Sequence, residues 1–104
     1  MAQILKTKSV TVTTPGTAVP LSTSRIYTTA FAVRAKLTNN GNIFLGDSTV
    51  TSSTGMFLQP GETNEKTAQN VSRGVIQTFE LSKIYIDAQN GGEGVIIEYL
   101  AEEV

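Results

Sequence analysis

The feature that most constrains this chain is that no segment places apolar residues at helical spacing over the length of a helix. Short apolar stretches are instead separated by Gly, Pro and Asn, and within them apolar and polar residues alternate with the period of a β-strand. In the clearest stretch, residues 28–37, one face would carry four apolar side chains: Phe31, Val33, Ala35 and Leu37. Strands at intervals of roughly 8–12 residues predict an all-β fold.

Strands and turns can be assigned along most of the chain. Further strands are predicted over residues 4–13, 17–21, 43–45, 49–51, 75–81, 83–87 and 94–100, and residues 56–58 form a short apolar step between two loops. Residues 62–73 hold too few apolar side chains for a packed helix, so strand plus loop is predicted there. The Asn39-Asn40-Gly41 sequence predicts a hairpin that returns from strand 28–37 into strand 43–45. Pro20 confines its own strand to a sheet edge or a strand end.

The length of 104 residues predicts a single domain, residues 1–104, in which residues 1–14 form an N-terminal arm or an edge strand. An open sheet would expose long edges, so we expect a single antiparallel β-sandwich that closes in the manner of a jelly roll. Hydrophobic residues make up 39% of the chain and cysteine is absent, so the core is thin and no disulfide supplements it. Small domains of this kind commonly gain stability by association, which predicts an oligomer.

Charge is distributed unevenly. Residues 1–46 hold five cations and no acid, whereas residues 47–104 hold three cations and nine acids. Two interpretations are open: strands from the two halves compensate each other across a sheet, or opposite poles guide docking onto a neighbour. Five dispersed cations do not make a nucleic-acid-binding patch. No stretch reaches the ~20 apolar residues of a membrane span and no secretory signal follows Met1, so we expect synthesis in the host cytoplasm and no membrane partner.

Residue types that commonly carry chemistry are missing or poorly placed. The chain has no His and no Cys, which removes the commonest general base and the usual ligands of zinc sites. Ser82 and Lys83 are adjacent, and on a strand they would point to opposite faces. Glu80 and Glu98 each stand between two apolar residues, as acids do on solvated strand faces. We therefore expect no enzymatic activity, no catalytic residue and no cofactor.

Residues 87–93 come nearest to a metal-binding loop. They depart from the calcium-loop pattern at its third and fifth positions. Calcium takes several oxygen ligands, so a site would require Asp87 and Glu93 to meet Asp47 or Glu62 in space. An ordinary turn is the simpler interpretation, and no metal ligand is predicted.

Three phrases of the sequence together carry a resemblance to a known group of proteins. They are AKLTNNGNIFLGD at residues 35–47, LQPGE at 58–62, and LSKIYIDA at 81–88 leading into GVIIEYL at 94–100. This arrangement resembles small structural proteins of tailed-bacteriophage virions. In those, an N-x-G-x-(I/V)-(Y/F)-(V/L)-G hairpin precedes an L-x-P-G-E turn and an (L/I)-x-x-I-Y-(V/I)-D-A strand. The resemblance spans about residues 31–100 and brings no catalytic or ligand residue with it.

The resemblance implies a virion component on the capsid surface: a capsid decoration (cement) protein, a head-fibre base or a tail accessory protein. Decoration suits the small size and missing chemistry best. Such proteins often form trimers, so the implied partners are further copies of this chain and the major capsid protein. The implied contacts involve the N-terminal arm and a final strand that is apolar on both faces. The interface candidates are Ile4, Lys6, Lys8, Tyr85, Ile96 and Leu100.

The alternative function is a glycan- or receptor-binding module of a phage tail or fibre. Five aromatic residues are available for a sugar-stacking platform: Tyr27, Phe44, Phe57, Tyr85 and Tyr99. This alternative predicts a concave aromatic patch that involves Tyr27, Tyr85 or Phe57.

Overall fold

The computed structural model describes residues 3–67, 70–72, 75–76 and 78–102. These residues form twelve β-strands and a single 3-10 turn, Leu81–Lys83, and contain no α-helix. The strands are β1 (Gln3–Val12), β2 (Val19–Pro20), β3 (Tyr27–Thr28), β4 (Ala30–Ala35), β5 (Ile43–Gly46), β6 (Met56–Leu58), β7 (Thr63–Thr67), β8 (Asn70–Ser72), β9 (Val75–Ile76), β10 (Phe79–Glu80), β11 (Tyr85–Ala88) and β12 (Glu93–Glu102). The prediction of an all-β fold is confirmed.

Two four-stranded antiparallel sheets form the body of the protein. The first sheet has the strand order β1-β12-β4-β7, and the second has the order β2-β11-β5-β6. Two short pairs, β3 with β10 and β8 with β9, accompany them. Buried side chains from both large sheets belong to one hydrophobic cluster, so the sheets pack face to face as antiparallel sandwiches do.

Strand alternation decides which side chains enter the core. In β4 the side chains of Phe31 and Val33 are buried, whereas Arg34 is exposed. Fully burying an aliphatic side chain of this size contributes roughly 1.5–3 kcal/mol. The 3-10 turn adds the fully buried Leu81. The other buried members of the cluster are Val12, Leu21, Ala35, Ile43, Leu45, Leu58, Ile86, Ala88, Val95, Ile97 and Tyr99.

Both sheets have an edge strand from the first fifth of the chain. β1 pairs with β12 along its whole length, from Gln3 opposite Glu102 to Val12 opposite Glu93. β2 lies at the edge of the second sheet, with Pro20 opposite Tyr85. Proline has no N–H to donate to a further strand, so the edge position predicted for Pro20 is confirmed.

The predicted hairpin between strands 28–37 and 43–45 is wrong. β4 and β5 belong to different sheets, and the turn between them carries the chain from the first sheet to the second. The turn is held from a distant part of the chain instead. The backbone N–H groups of Asn40 and Gly41 donate to the Glu93 carboxylate, and the Asn39 side chain bonds to Gly94.

The strand predicted over residues 28–37 would place Leu37 on the same face as Phe31, Val33 and Ala35, which are buried, but Leu37 is 77% exposed. β4 ends at Ala35, and the Lys36 carbonyl oxygen already accepts a turn hydrogen bond from the Asn39 N–H (3.1 Å). The strand predicted over residues 49–51 is wrong as well. That segment forms tight turns in which the Val50 N–H donates to the Asp47 carbonyl oxygen (3.0 Å).

Two further differences concern the second half of the chain. Ser82 and Lys83 lie in the 3-10 turn rather than on a strand, so the strand argument for their separation does not apply. The single strand predicted over residues 75–81 is divided between β9, β10 and this turn. Residues 1–2 of the predicted arm, residues 68–69 and 73 of the strand-plus-loop segment, Gln77 and residues 103–104 lie outside the described residues.

Candidate interaction surface

The side of the first sheet that faces away from the core is open. We call this surface the outer face. Its residues follow from the strand register, and none of them is buried. They are Leu5, Thr7 and Ser9 of β1, Ile96, Glu98 and Leu100 of β12, Ala30, Ala32 and Arg34 of β4, and Thr63, Glu65 and Thr67 of β7.

The apolar part of the outer face centres on a cross-strand pair. Leu5 of β1 lies directly opposite Leu100 of β12, and its side chain is 61% exposed. Leu100 and Ile96 are both partly exposed on β12. They are four residues apart, so their side chains point to the same face of the sheet. Directly opposed apolar side chains in an antiparallel pair contact each other. The outer face therefore presents an aliphatic ridge along β1 and β12.

Small side chains make the middle of the outer face hollow. A shallow depression of about 150 Å³ lies over Ala30 and Ala32, bordered by Leu5 and Glu98. A second depression of about 210 Å³ adjoins it and reaches Ile96. The ridge and the depressions together give this surface a shape that a complementary partner surface can contact.

Charge on the outer face is sparse. Glu98 and Glu65 lie on either side of Ala32 in the register, and Arg34 lies opposite Ile96. All three charged side chains are exposed. One ion pair is present in the described part of the chain, between Arg25 Nε and Glu80 Oε2 at 3.9 Å, away from this surface. The outer face is thus chiefly aliphatic and short-chain polar in character.

The second sheet differs because its own loops cover part of the side away from the core, although Phe57, opposite Phe44 on that side, is 58% exposed. Phe44 and Asp87 point to that side, yet they are only 8% and 4% exposed. Asp87 Oδ1 accepts hydrogen bonds from the Gly16 N–H (3.0 Å) and the Ala88 N–H (2.8 Å), which hold the 13–17 loop against the sheet. The buried Val50 packs from the neighbouring loop. Of the two large sheets, the first has the less covered outer side among the described residues.

The structure distributes the predicted interface residues over three surfaces. Ile96 and Leu100 lie together on the outer face. Ile4, Lys6 and Lys8 lie on the opposite side of β1, in register with Ala101, Tyr99 and Ile97. Tyr85 is partly exposed on β11 in the second sheet.

Sequence reasoning missed Leu5. The residue stands alone as an apolar side chain in the row Leu5-Thr7-Ser9-Thr11, so alternation gave no reason to select it. Its significance comes from the pairing with Leu100, 95 positions away. The signal that could have found it is the match between an apolar residue near the start of the first strand and one near the end of the last.

Of the aromatic residues considered for sugar stacking, Phe44 and Phe57 lie directly opposite each other on β5 and β6, and Phe44 is buried. Tyr27, Phe57 and Tyr85, the residues expected to form a concave patch, are separated from one another. Phe57 and Tyr85 both belong to the second sheet, but β5 lies between their strands. Tyr27 is on β3 and is 57% exposed. It borders an open cleft of about 410 Å³ whose other lining residues include Gln3, Thr29 and Leu100.

The carboxylates considered for a cation site each accept hydrogen bonds that hold a turn or a loop, from nearby residues for Asp47 and Glu62 and from distant parts of the chain for Asp87 and Glu93. Glu62 Oε1 accepts from the Gln59 N–H (2.6 Å), and Asp87 holds Gly16. The Thr49 hydroxyl donates to Asp47 Oδ1 (2.6 Å) and lowers the pKa of that carboxyl, with a further bond from the Thr49 N–H (2.9 Å). No group of three or more acidic side chains converges within the described residues.

Glu93 closes the turn that follows β4. Its Oε2 accepts from the Asn40 N–H (2.6 Å), and its Oε1 accepts from the Gly41 N–H (3.0 Å) and the Asn90 amide (3.4 Å). These donors, Asn40 foremost, lower the pKa of the Glu93 carboxyl because they stabilise its charged form. The acids therefore shape turns, and the surface best arranged to act on another molecule is the outer face.

Comparisons with family models, with curated proteins and with solved structures gave no match to this chain. Among the described residues, no helix has the length and apolar character needed to cross a membrane.

Proposed function

We propose that this chain is a structural virion protein that decorates or stabilises a phage capsid through contacts made by the outer face of the first sheet. The observation that carries the proposal is the exposed Leu5–Leu100 pair beside a hollow of small residues. Uncovered apolar surface with polar surroundings is typical of protein–protein contact sites. The loops that cover the second sheet have no counterpart over this face in the described part of the chain.

We also infer that the strands connect as a jelly roll. When the eight strands of the two large sheets are numbered in chain order, the first sheet reads 1-8-3-6 and the second reads 2-7-4-5. Strands 1 and 8, 2 and 7, 3 and 6, and 4 and 5 are then neighbours, in alternate sheets. These are the strand pairs that form when one long antiparallel hairpin folds around a core, which is how a jelly roll is built. Jelly rolls occur in viral capsid and lectin domains, and the fold alone does not choose between them.

The outer face is small, which favours an assembly in which many weak contacts act together. Four strands of up to ten residues cover a surface roughly 15–20 Å wide and about 30 Å long. That is on the order of 500 Å², below the ~800 Å² per partner of a standard stable interface. One such contact is weak, and repetition around a shell adds avidity without new contacts. The proposed partners are further copies of this chain, arranged as a trimer in keeping with the resemblance, and the major capsid protein.

The experiment compares association of the wild type with a Leu5→Glu, Leu100→Glu double variant. Sedimentation over a range of concentrations should show oligomers of the wild type and monomers of the variant, because two carboxylates would have to be buried in the contact. Leu37→Glu is the matched control, since Leu37 is an exposed leucine that lies away from the outer face. A wild type that stays monomeric at high concentration and binds no capsid would overturn the proposal. Images of the purified particle test the location directly.

A second candidate, glycan or receptor binding, is favoured by the cleft beside Tyr27. Its lining combines the exposed Tyr27 ring with the polar side chains of Thr29, Thr78 and Gln3, whereas the Thr28 hydroxyl is buried and bonded within the protein. Stacking and hydroxyl bonding are what a sugar ring requires. A glycan array should then detect binding that Tyr27→Ala removes and Tyr85→Ala leaves intact. No binding by the wild type would eliminate this candidate.

A further inference from the structure

Two Asn-Gly sequences, Asn40-Gly41 and Asn90-Gly91, lie 50 positions apart in the chain and meet at Glu93. The N–H groups of Asn40 and Gly41 donate to the Glu93 carboxylate, and the Asn90 amide donates to its Oε1. The two sequences are direct neighbours, because a Cβ placed on Gly41 would lie 2.7 Å from Asn90 Nδ2.

Asn-Gly sequences can undergo spontaneous deamidation. The backbone nitrogen of the glycine attacks the asparagine Cγ, a C–N bond forms, and the side-chain amide leaves as ammonia. Water then opens the resulting succinimide at one of its two carbonyls and gives aspartate or isoaspartate. Glycine favours the attack because it has no Cβ to hinder the approach and allows a wide range of backbone angles.

The two glycine nitrogens differ in whether they are hydrogen-bonded. The Gly41 N–H is held by Glu93 Oε1 at 3.0 Å, and Gly41 is buried. Asn90 and Gly91 are both exposed, and the Gly91 N–H has no acceptor among the described residues. Attack at Asn40 therefore requires the Gly41 N–H to leave Glu93 first, whereas attack at Asn90 starts from a glycine nitrogen that has no acceptor in the described part of the chain and disturbs only the long bond from the Asn90 amide to Glu93 (3.4 Å).

We propose that Asn90 is a deamidation site of the folded protein and that Glu93 protects Asn40 from the same reaction. The proposal does not depend on the function of the outer face. Its consequence is local loosening. A new carboxylate at position 90 would face Glu93 where an amide donor now lies, and like charges repel. Isoaspartate would also lengthen the backbone of a turn in which the Gly92 N–H donates to the Val12 carbonyl oxygen (2.9 Å).

Tryptic mapping of protein aged in mildly alkaline buffer tests the proposal. Cleavage after Lys36 and Lys66 isolates Asn40 in peptide 37–66, and cleavage after Lys83 leaves Asn90 in peptide 84–104. Fragmentation of each peptide locates the converted residue. Conversion at Asn90 should be faster than at Asn40 by about tenfold or more, because Asn40 reacts only through local opening. In denaturant the two rates should become similar.

Equal rates at the two sites in the folded protein would overturn the proposal. So would an intact Asn90 in folded protein under conditions that convert it in the unfolded chain. Asn90→Gln provides a matched variant that keeps the amide but forms the larger ring slowly. It should show no conversion in peptide 84–104 and should retain its melting temperature during ageing. Glu93→Ala should accelerate conversion at Asn40 and leave Asn90 reactive.

Discussion

The side-chain amide of Asn39 forms two hydrogen bonds with the backbone of a single residue, Gly94. Asn39 Nδ2 donates to the Gly94 carbonyl oxygen (2.8 Å), and Asn39 Oδ1 accepts from the Gly94 N–H (3.3 Å). Asn39 is only 6% exposed, so water has little access to either bond. These two bonds hold the turn after β4 against the start of β12, the last strand of the chain.

Replacing Asn39 by alanine should lower the free energy of unfolding by about 1–3 kcal/mol, the usual cost of leaving a buried polar group without its partner. The Gly94 N–H would lose its acceptor inside the protein. Urea denaturation measures the change. Asn40→Ala is the control, because Asn40 contributes its backbone N–H rather than its side chain. Equal losses in the two variants would contradict the role assigned to the Asn39 amide.

Gly94 itself should not tolerate a side chain. A Cβ on Gly94 would overlap the carbonyl oxygen of Val10 and lie 2.9 Å from the Thr11 Cα. Both obstacles are backbone atoms of β1, so the edge strand would have to move. We expect Gly94→Ala to destabilise the protein by about 1–3 kcal/mol, as overpacking does.

Hydrogen exchange distinguishes this effect from a general loss of stability. In Gly94→Ala, exchange should accelerate first in residues 3–12, because β1 loses its pairing. Gly16→Ala is the comparison. Gly16 has a φ of +90° with no atom near its added Cβ, so that variant strains a loop and leaves β1 paired. If exchange in β1 is unchanged in Gly94→Ala, the close approach of Gly94 to the backbone of Val10 and Thr11 does not determine the pairing of β1.

Much of the fold was predictable because strand alternation is a local property. Phe31, Val33 and Ala35 were correctly placed in the core from their spacing alone. Leu37 continued the same spacing and was placed wrongly, because alternation does not mark where a strand ends. The end of β4 is set by turn hydrogen bonds and by Gly94, which is 55 positions from Asn39.

Turn chemistry has a similar limit. The Asn39-Asn40-Gly41 sequence correctly predicts that the chain reverses, since these residues accept tight-turn conformations. It does not reveal which strands the turn joins. Here the partners of the turn are Glu93 and Gly94, so the chain crosses between sheets instead of forming a hairpin. Sheet membership is a long-range property.

Part of the candidate surface was also predictable from the sequence. A final strand with apolar side chains on both faces indicates two packing surfaces, and Ile96 and Leu100 do lie away from the core. Leu5 and the hollow over Ala30 and Ala32 depend on the register of β1, β12 and β4. Register is fixed by pairing across the sheet, which a single strand does not display.

Acid should weaken the turn held by Glu93. Hydrogen bonds to its charged form, from Asn40 foremost, lower the pKa of its carboxyl below the ordinary glutamate value. The unfolded chain therefore takes up the proton more readily. Stability from these bonds is present above the unfolded pKa and is lost as the pH falls through the folded pKa.

The melting temperatures of the wild type and Glu93→Gln measure this effect. Glutamine makes weaker bonds at neutral pH but has no proton to gain, so the wild type should be more stable at neutral pH and lose the advantage in acid. Glu98→Gln is the control, because Glu98 accepts no hydrogen bond within the described residues. A difference between wild type and Glu93→Gln that stays constant with pH would contradict the assignment.

β1 is an edge strand of the first sheet, and its outer edge pairs with no other strand among the described residues. Lys6 and Lys8 lie on the side of the strand that faces the core, in register with the buried Tyr99 and Ile97, yet both are exposed. Charged side chains that point inward on an edge strand discourage pairing with another chain. We therefore expect the lysines to disfavour association through the β1 edge.

A Lys6→Thr, Lys8→Thr double variant should form irregular, β-rich aggregates whose light scattering rises with concentration and time. Threonine favours strands and carries no charge, so the edge becomes a template for further pairing. Lys36→Thr, Lys83→Thr is the matched control, because it removes the same charge away from β1. If both doubles scatter alike, net charge accounts for solubility and the inward lysines have no specific role. If only the β1 double aggregates, and Leu5→Glu added to it does not restore solubility, the edge and the outer face act independently.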